Sequence, residues 1–348
     1  GELWVASDYG GISIIDPEAL RGNVENLHYS DARVELSSAN ARSIAQDEYG
    51  NIWVGNYSMG VDFISTREKR FHQMSFPNID FKAVSCMAEG PGGQMWLGGN
   101  NMIVLCQNGM MVREWMIPPM TREYSFVRTL MVDKSGYVWI GVDDEGILRL
   151  NTATNSFERI NTGLDGADTH SFYEDEKGNV WIGTEFGVYM WSKETNTVVS
   201  LDKLNKQLNR APVSSFVPLN NGKLLLATHG VGVYVYDVKT QTGIRLAKVE
   251  DVNINKINHA IKGNGNDVWL ASYEGLVHIE DAANLKGITI YNKQDGLVDS
   301  HIRAVQQDAS GRIWISTYSG IVCLDNGCKD IHNYGFADFK EEGFFGKK

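Results

Sequence analysis

Long apolar runs, metal-type cysteine spacings and an excess of basic charge are all missing from this chain. No stretch of about 18 apolar residues occurs, so no segment reads as a bilayer span. The net charge of −11 argues against general nucleic-acid binding, which needs a basic footprint. Only seven prolines and four cysteines occur among 348 residues. No two cysteines form a C-x-x-C pair, so no metal-ligand set is expected. Cys86 and Cys106 fall on the first and third strands of one repeat and read as buried free thiols. Cys323 and Cys328 flank Leu-Asp-Asn-Gly, a hairpin turn signal, which leaves a disulfide between them open. No signal peptide is visible, and Gly1 followed at once by a strand reads as the start of a piece cut from a longer chain.

What the chain does have is glycine, 36 residues of it, and a repeat. Gly50-Asn51-Ile52-Trp53-Val54-Gly55 returns as Gly136-Tyr137-Val138-Trp139-Ile140-Gly141, as Gly178-Asn179-Val180-Trp181-Ile182-Gly183 and as Gly311-Arg312-Ile313-Trp314-Ile315-Ser316. Looser copies centre on Trp4, Trp96 and Trp269, and an eighth has Leu225 at the Trp position. Short apolar runs recurring mostly in the low forties are the signature of a β-propeller, one blade per period.

Each full repeat reads as four strands, A to D. The second has A at 41–46, B at 51–56, C at 61–65 and D at 71–75, with alternating apolar residues and Gly or Asn at the ends. The one helical piece expected is Asp202–Leu208. The fold class expected is all-β, a β-propeller of four-stranded blades with eight Trp-type repeats. As one domain over 1–348 it divides into a partial first blade at 1–29, seven full repeats at 30–334 and a tail at 335–348. Asp338-Phe339-Lys340 echoes Asp80-Phe81-Lys82, which leads into an A strand. By that echo, 341–345 is expected to supply the missing first strand and close the ring, since an open sheet edge invites aggregation. This favours eight blades. The alternative is a seven-bladed ring in which 1–29 belongs to a neighbouring domain.

Asp-x-x-Gly-x-x-Trp recurs as Asp47/Gly50/Trp53, Asp133/Gly136/Trp139, Asp175/Gly178/Trp181 and Asp308/Gly311/Trp314. Glycine permits the positive φ of the A–B hairpin, Asp bonds turn amides, and Trp fills space between blades. A device found in so many repeats reads as scaffold.

This pattern, an A strand, Asp-x-x-Gly-x-[IV]-Trp-[IV]-Gly-[TN], a short loop, Gly and a C strand, resembles the two-component regulator propeller repeat. Asp295-Gly296-Leu297 before an A strand resembles that family's linker. The resemblance covers nearly all of the chain and is weakest in the sixth repeat. It implies a periplasmic sensor domain of a bacterial hybrid two-component system, typical of gut Bacteroides. Such a domain binds a glycan fragment and signals across the inner membrane to a histidine kinase. It also implies neighbouring propeller and β-sandwich domains that this chain lacks. The chain itself is then expected to carry no catalytic residue, metal or cofactor, and not to insert into the membrane.

Two sets of residues point to a ligand face. Eleven residues before the Trp position stand Arg42, Ser85, Arg128, His170, Ser214, Asn258 and Arg303, while two residues further on the side chains are apolar. Four residues after it, in the B–C loop, stand Asp8, Tyr57, Asn100, Asp143, Glu185, His229, Tyr273 and Tyr318. The ligand-binding residues expected are Arg42, Arg128, His170, Arg303, Tyr57, Asp143, Glu185, His229, Tyr273 and Tyr318. Arginines read carboxylates and sulfates bidentately, and tyrosines stack on sugar rings while their hydroxyls hydrogen-bond. An oligosaccharide, with room for an acidic one, suits that set. The bland alternative is that Arg42, Arg128 and Arg303 pair with loop acids and only tie blades together. Two other functions stay open. One is a lyase resembling the streptogramin-inactivating family, resting on His170, His229 and His259 around a metal. The other is a protein-interaction or dimerisation module, which would include a homodimer.

Overall fold

The computed structural model describes residues 3–7, 11–15, 24–27, 41–46, 52–56, 61–64, 84–118, 125–160, 163, 167–249 and 251–335. The chain falls into two compact units, 1–72 and 73–348. The first holds two three-stranded antiparallel sheets. One is Leu3–Ser7, Gly11–Ile15 and Val24–Leu27; the other is Ala41–Gln46, Ile52–Asn56 and Val61–Ile64. The D strand expected at 71–75 and the closing strand expected at 341–345 lie outside the described residues.

The second unit holds six four-stranded antiparallel sheets, each a simple meander from A to D. They are numbered here as blades I (84–116), II (127–160), III (169–200), IV (213–246), V (257–291) and VI (302–334). Among the described residues, six four-stranded blades replace the eight, or alternatively seven, expected from the sequence. The count was misled because each Trp-bearing B strand was taken to announce a complete blade. The B strands at Trp4 and Trp53 belong instead to the three-stranded sheets of the first unit.

Burial runs from the B and C strands outward. In blade II, Val138, Trp139 and Ile140 are fully buried on consecutive positions, because both faces of the blade are covered by neighbours. Its D strand, Ser156–Ile160, is largely exposed. Trp139 packs edge-on to Trp191 of blade III at 5.0 Å and lies 6.1 Å from Phe172. Trp181 of blade III meets Phe216 and Tyr236 of blade IV at 6.3 and 6.4 Å. The tryptophans therefore fill the space between blades, as their recurrence implied.

The Asp of the repeat does more than cap a turn. Asp133 Oδ1 accepts from the amides of Ser135 and Tyr137, both at 2.9 Å, and Oδ2 accepts the indole N–H of Trp139 at 2.9 Å. Asp175 and Asp308 hold Trp181 and Trp314 in the same way. Blade V has Gly263 at the Asp position, and Asp267, two residues before Trp269, supplies the carboxylate at 3.1 Å. A Cβ on Gly263 would lie 2.1 Å from that carboxylate, so the two positions compete for one space. Blade I has Gly90 there and no substitute, and the buried Trp96 Nε1 has no hydrogen-bond partner.

Two smaller expectations resolve here. The helix is Asp202–Gln207; Asn205 ties it to blade III by accepting from the Val188 amide at 2.6 Å and donating to the Val188 carbonyl at 3.0 Å. All four cysteines are free thiols. Cys323 lies opposite His332 in the strand pair, whereas Cys328 sits in a turn at φ 67, so the two do not face each other. Burial pushes the Cys86 thiol up to about 12, which keeps it protonated and unreactive.

Candidate ligand-binding face

Every A strand of the second unit is irregular at the same place. Its register shifts between the first and third residues: Val84/Cys86, Val127/Thr129, Thr169/Ser171, Val213/Ser215, Ile257/His259 and Ile302/Ala304. The extra residue of each bulge is Ser85, Arg128, His170, Ser214, Asn258 or Arg303. These are the polar positions eleven residues before the Trp site. A bulge leaves one residue out of the ladder and re-aims its side chain, which is why this column is polar inside a strand that is otherwise apolar. Arg42 takes the matching bulge in the first unit, at Ala41/Ser43. Tyr57 lies outside the described residues.

Most of these side chains reach across to the next blade. Ser85 Oγ donates to the Val127 carbonyl, Ser214 Oγ to the Ile257 carbonyl at 2.6 Å, and Asn258 Nδ2 to the Ile302 carbonyl at 2.6 Å. Ser171, next to the bulge in blade III, reaches the Val213 carbonyl at 2.8 Å. In each case the acceptor is the residue just before the next bulge, so bulges are linked to bulges. Arg128 follows the same rule with charge. Its guanidinium donates to Asp143 Oδ1 of its own blade, Nε at 2.6 Å with Nη2 on the same oxygen, and Nη2 lies 2.9 Å from Asp168 Oδ2 of blade III. Burial pushes the Asp168 carboxyl up, and its bond from the Asp144 amide and the nearby Arg128 charge pull it back.

The B–C loop residues are fixed to the same rim by the backbone. The amides of Asp143, Glu185, His229 and Tyr273 donate to the carbonyls of Phe126, Asp168, Pro212 and Lys256, each in its own blade. Those acceptors stand thirteen residues before the Trp position. That third column, which the sequence reading did not count, brings in Asp168, Lys256 and His301. It was findable by extending the same count two residues upstream.

Around blades IV to VI the columns bring aromatic rings into tilted and edge-on contact. His229 Nε2 bonds Asn258 Oδ1 at 3.1 Å, and its ring meets Tyr273 edge-on at 5.9 Å. Tyr273 lies 3.8 Å from His301, and His301 lies 4.7 Å from Tyr318. Arg303 sits over Tyr318 at 5.5 Å, with Nη1 donating to the Tyr318 hydroxyl at 3.4 Å. Lys256 sits over Tyr273 at 5.2 Å. Tyr318 is 68% exposed, and His301 Nε2 is buried without a hydrogen-bond partner. His170 stands between these rings and the Arg128 cluster. Burial first, then Arg128 and His229, lower its pKa to about 4, so it is neutral at neutral pH. His229 is also held below its usual value, mainly by burial.

The expected residues thus assemble as two neighbouring groups. Arg128, Asp143 and Glu185 gather around Asp168, where Glu185 accepts from the Asp168 amide at 3.4 Å. His229, Tyr273, Tyr318 and Arg303 form the ring group. Two of the three histidines of the lyase alternative, His229 and His259, are engaged in hydrogen bonds. His259 Nδ1 lies 3.1 Å from the Val305 carbonyl, and among the described residues no three His, Cys, Asp or Glu side chains are arranged to hold a metal ion. Two open clefts lie elsewhere. One of about 370 Å³ is at the other end of the strands, by Leu219, Lys262 and Glu280; one of about 530 Å³ is between the outer strands of blades II and III. Neither touches the residues above.

Comparison with known proteins fits this frame. The family model for the two-component regulator propeller matches residues 35–58, 163–186 and 296–319. Histidine kinase P4 of Formosa agariphila is 25% identical over 189 residues, which is 48% of this chain and 13% of that protein. The extracellular domain of a hybrid two-component system of B. thetaiotaomicron is 29% identical, with a TM-score of 0.65, covering 97% of this chain and 45% of that one. Virginiamycin B lyase of Staphylococcus aureus shares the fold alone, at 14% identity and a TM-score of 0.60 over 75% of this chain and 86% of the lyase. The chain spans less than half the length of the histidine kinase and of the two-component ectodomain.

Proposed function

Because this chain belongs to the two-component regulator propeller family, we propose that it is the ligand-binding part of a sensor ectodomain, recognising an oligosaccharide on the loop face of its blades. It stands in the periplasm as part of a hybrid two-component system, and the histidine kinase of the parent protein performs the phosphotransfer. The propeller itself makes and breaks no covalent bond. The observation that carries the reading is the row of contacting rings Tyr273, His301 and Tyr318, tilted and edge-on to one another at the loop ends of the blades, with Tyr318 open to solvent. Aromatic faces pack against the C–H face of a pyranose, and the polar groups around them supply hydrogen bonds to its hydroxyls. Loops carried on a stiff scaffold keep these groups placed before the ligand arrives, which lowers the ordering cost of binding.

A sugar lying across blades V and VI would favour one packing of those blades over another. A ligand shifts such an equilibrium only by its differential affinity for the two states. Neighbouring propeller and β-sandwich domains, and a second copy of the sensor, are the partners through which that shift would reach the kinase.

A thermal-shift screen tests the reading. The purified chain is heated with neutral, uronate-containing and sulfated oligosaccharides, with and without EDTA. A dose-dependent rise in Tm that ignores EDTA is the expected result, since binding stabilises the native state by mass action. No rise with any glycan contradicts the proposal, and a fall in Tm with EDTA alone turns it towards the metal-dependent lyase.

A further inference from the structure

We propose that Lys256 and Arg303 are two anion-binding positions, one at each end of the Tyr273–His301–Tyr318 ladder, for carboxylates or sulfates carried on an oligosaccharide. This rests on the oligosaccharide reading above and adds to it which part of the face reads charge.

Several arginines of the blades are already neutralised by carboxylates. Arg128, the most conspicuous cation of the face, is occupied by Asp143 and Asp168. Arg149 and Arg312, elsewhere in the blades, are likewise paired, with Glu158 and Asp308. Lys256 and Arg303 are both exposed, and among the described residues neither has a carboxylate within ion-pair distance. Glu274, the exposed acid beside Tyr273, makes no ion pair with either of them. What each cation has instead is a tyrosine face, at 5.2 Å for Lys256 and 5.5 Å for Arg303. A ring orients a cation without cancelling its charge.

The order of the groups completes the case. Lys256 stands at the Tyr273 end and Arg303 at the Tyr318 end of a continuous three-ring ladder. The Tyr318 hydroxyl accepts from Arg303 Nη1, which steers the guanidinium while leaving its other donors open. An acidic substituent on a pyranose seated beside Tyr318 would meet the guanidinium donors that the Tyr318 hydroxyl leaves open. In a protein of net charge −11, two exposed cations beside contacting aromatic rings, with no carboxylate partner among the described residues, also select against neutral sugars, which would leave their donors unused.

Calorimetric titration of the whole chain at low salt tests this with trigalacturonate, neocarrabiose 4-sulfate and neutral maltotriose. The variants are Arg303→Gln, Lys256→Gln and, as contrast, Arg128→Gln, each checked for an intact melting transition. At least one charged probe should bind, and Arg303→Gln and Lys256→Gln should each weaken it by about tenfold or more, the value of a charge-assisted hydrogen bond. Arg128→Gln should leave the affinity within about twofold. Which of the two charged probes binds tells a uronate from a sulfate ester. Charged-probe affinity unchanged in both Gln variants overturns the subsite and leaves the oligosaccharide reading standing. Maltotriose binding as tightly as the charged probes does the same. No binding by either charged probe also overturns the subsite, and the wider glycan screen then judges the oligosaccharide reading on its own.

Discussion

Arg128 and Arg303 occupy the same bulge in blades II and VI, yet they meet different neighbours. Four residues after the Trp position, blade II carries Asp143 and blade VI carries Tyr318. Arg128 therefore closes on a carboxylate in its own loop and on Asp168 of the following blade. Arg303 lies instead on an aromatic ring. One backbone device thus gives a tie between blades in one place and an open cation in another. The bulge decides where the side chain goes, and the loop residue opposite decides what its charge is for.

If the Arg128 side is scaffold, the largest loss should come from the packing beneath it. Trp139 joins the same two blades through Trp191 and Phe172 and is fully buried. Trp139→Ala should cost roughly 3–5 kcal/mol in urea unfolding, in line with other buried aromatic truncations. A neutral result would break the link between that blade pair and stability. Next in size is the contrast in binding: Arg303→Gln should weaken a charged glycan about tenfold while changing unfolding free energy by no more than about 0.5 kcal/mol. Arg128→Gln should do the reverse, with a stability loss of about 1 kcal/mol, as for a partly exposed ion pair, and affinity kept. Equal effects of the two substitutions on binding would erase the distinction.

The smallest effect concerns pH. His170 between the two groups is held at about 4 in the folded chain against 6.5 ordinarily, so the unfolded chain takes up its proton first. Its contribution to stability is complete above 6.5 and is lost as pH falls from there to about 4. Tm should therefore fall as pH is lowered through that window, and His170→Gln should flatten part of that fall. His229 and His259, also lowered by burial, contribute in the same direction. An identical slope in the variant would mean that His170 is not buried by the blade packing described here.

The sequence was most legible where one residue type had one job. Trp with its Asp and Gly marked the A–B hairpins, and strands such as Val127–Val132, Val268–Ser272 and Ile313–Thr317 stand where the repeat placed them. The number of blades was not legible, because a B strand announces itself without stating how many strands pair beyond it. The polar column was located correctly in sequence, but its cause was hidden. Periodicity finds alternation, whereas a bulge is a break in alternation that only the ladder reveals. For the same reason Ser85, Ser214 and Asn258 read as a mouth, although they donate to the neighbouring blade's carbonyls. The partners of the site came from a column two residues upstream, where Asp168, Lys256 and His301 differ too much in type to look like a set.

The most direct test of the account is the rise in Tm that a saturating acidic oligosaccharide produces in Arg128→Gln and Arg303→Gln, measured side by side with the unmodified chain. The account predicts that Arg128→Gln melts lower without ligand but gains the full increment with it. It also predicts that Arg303→Gln melts like the unmodified chain and gains little. An Arg303→Gln chain that gains the full increment while Arg128→Gln gains none would contradict it.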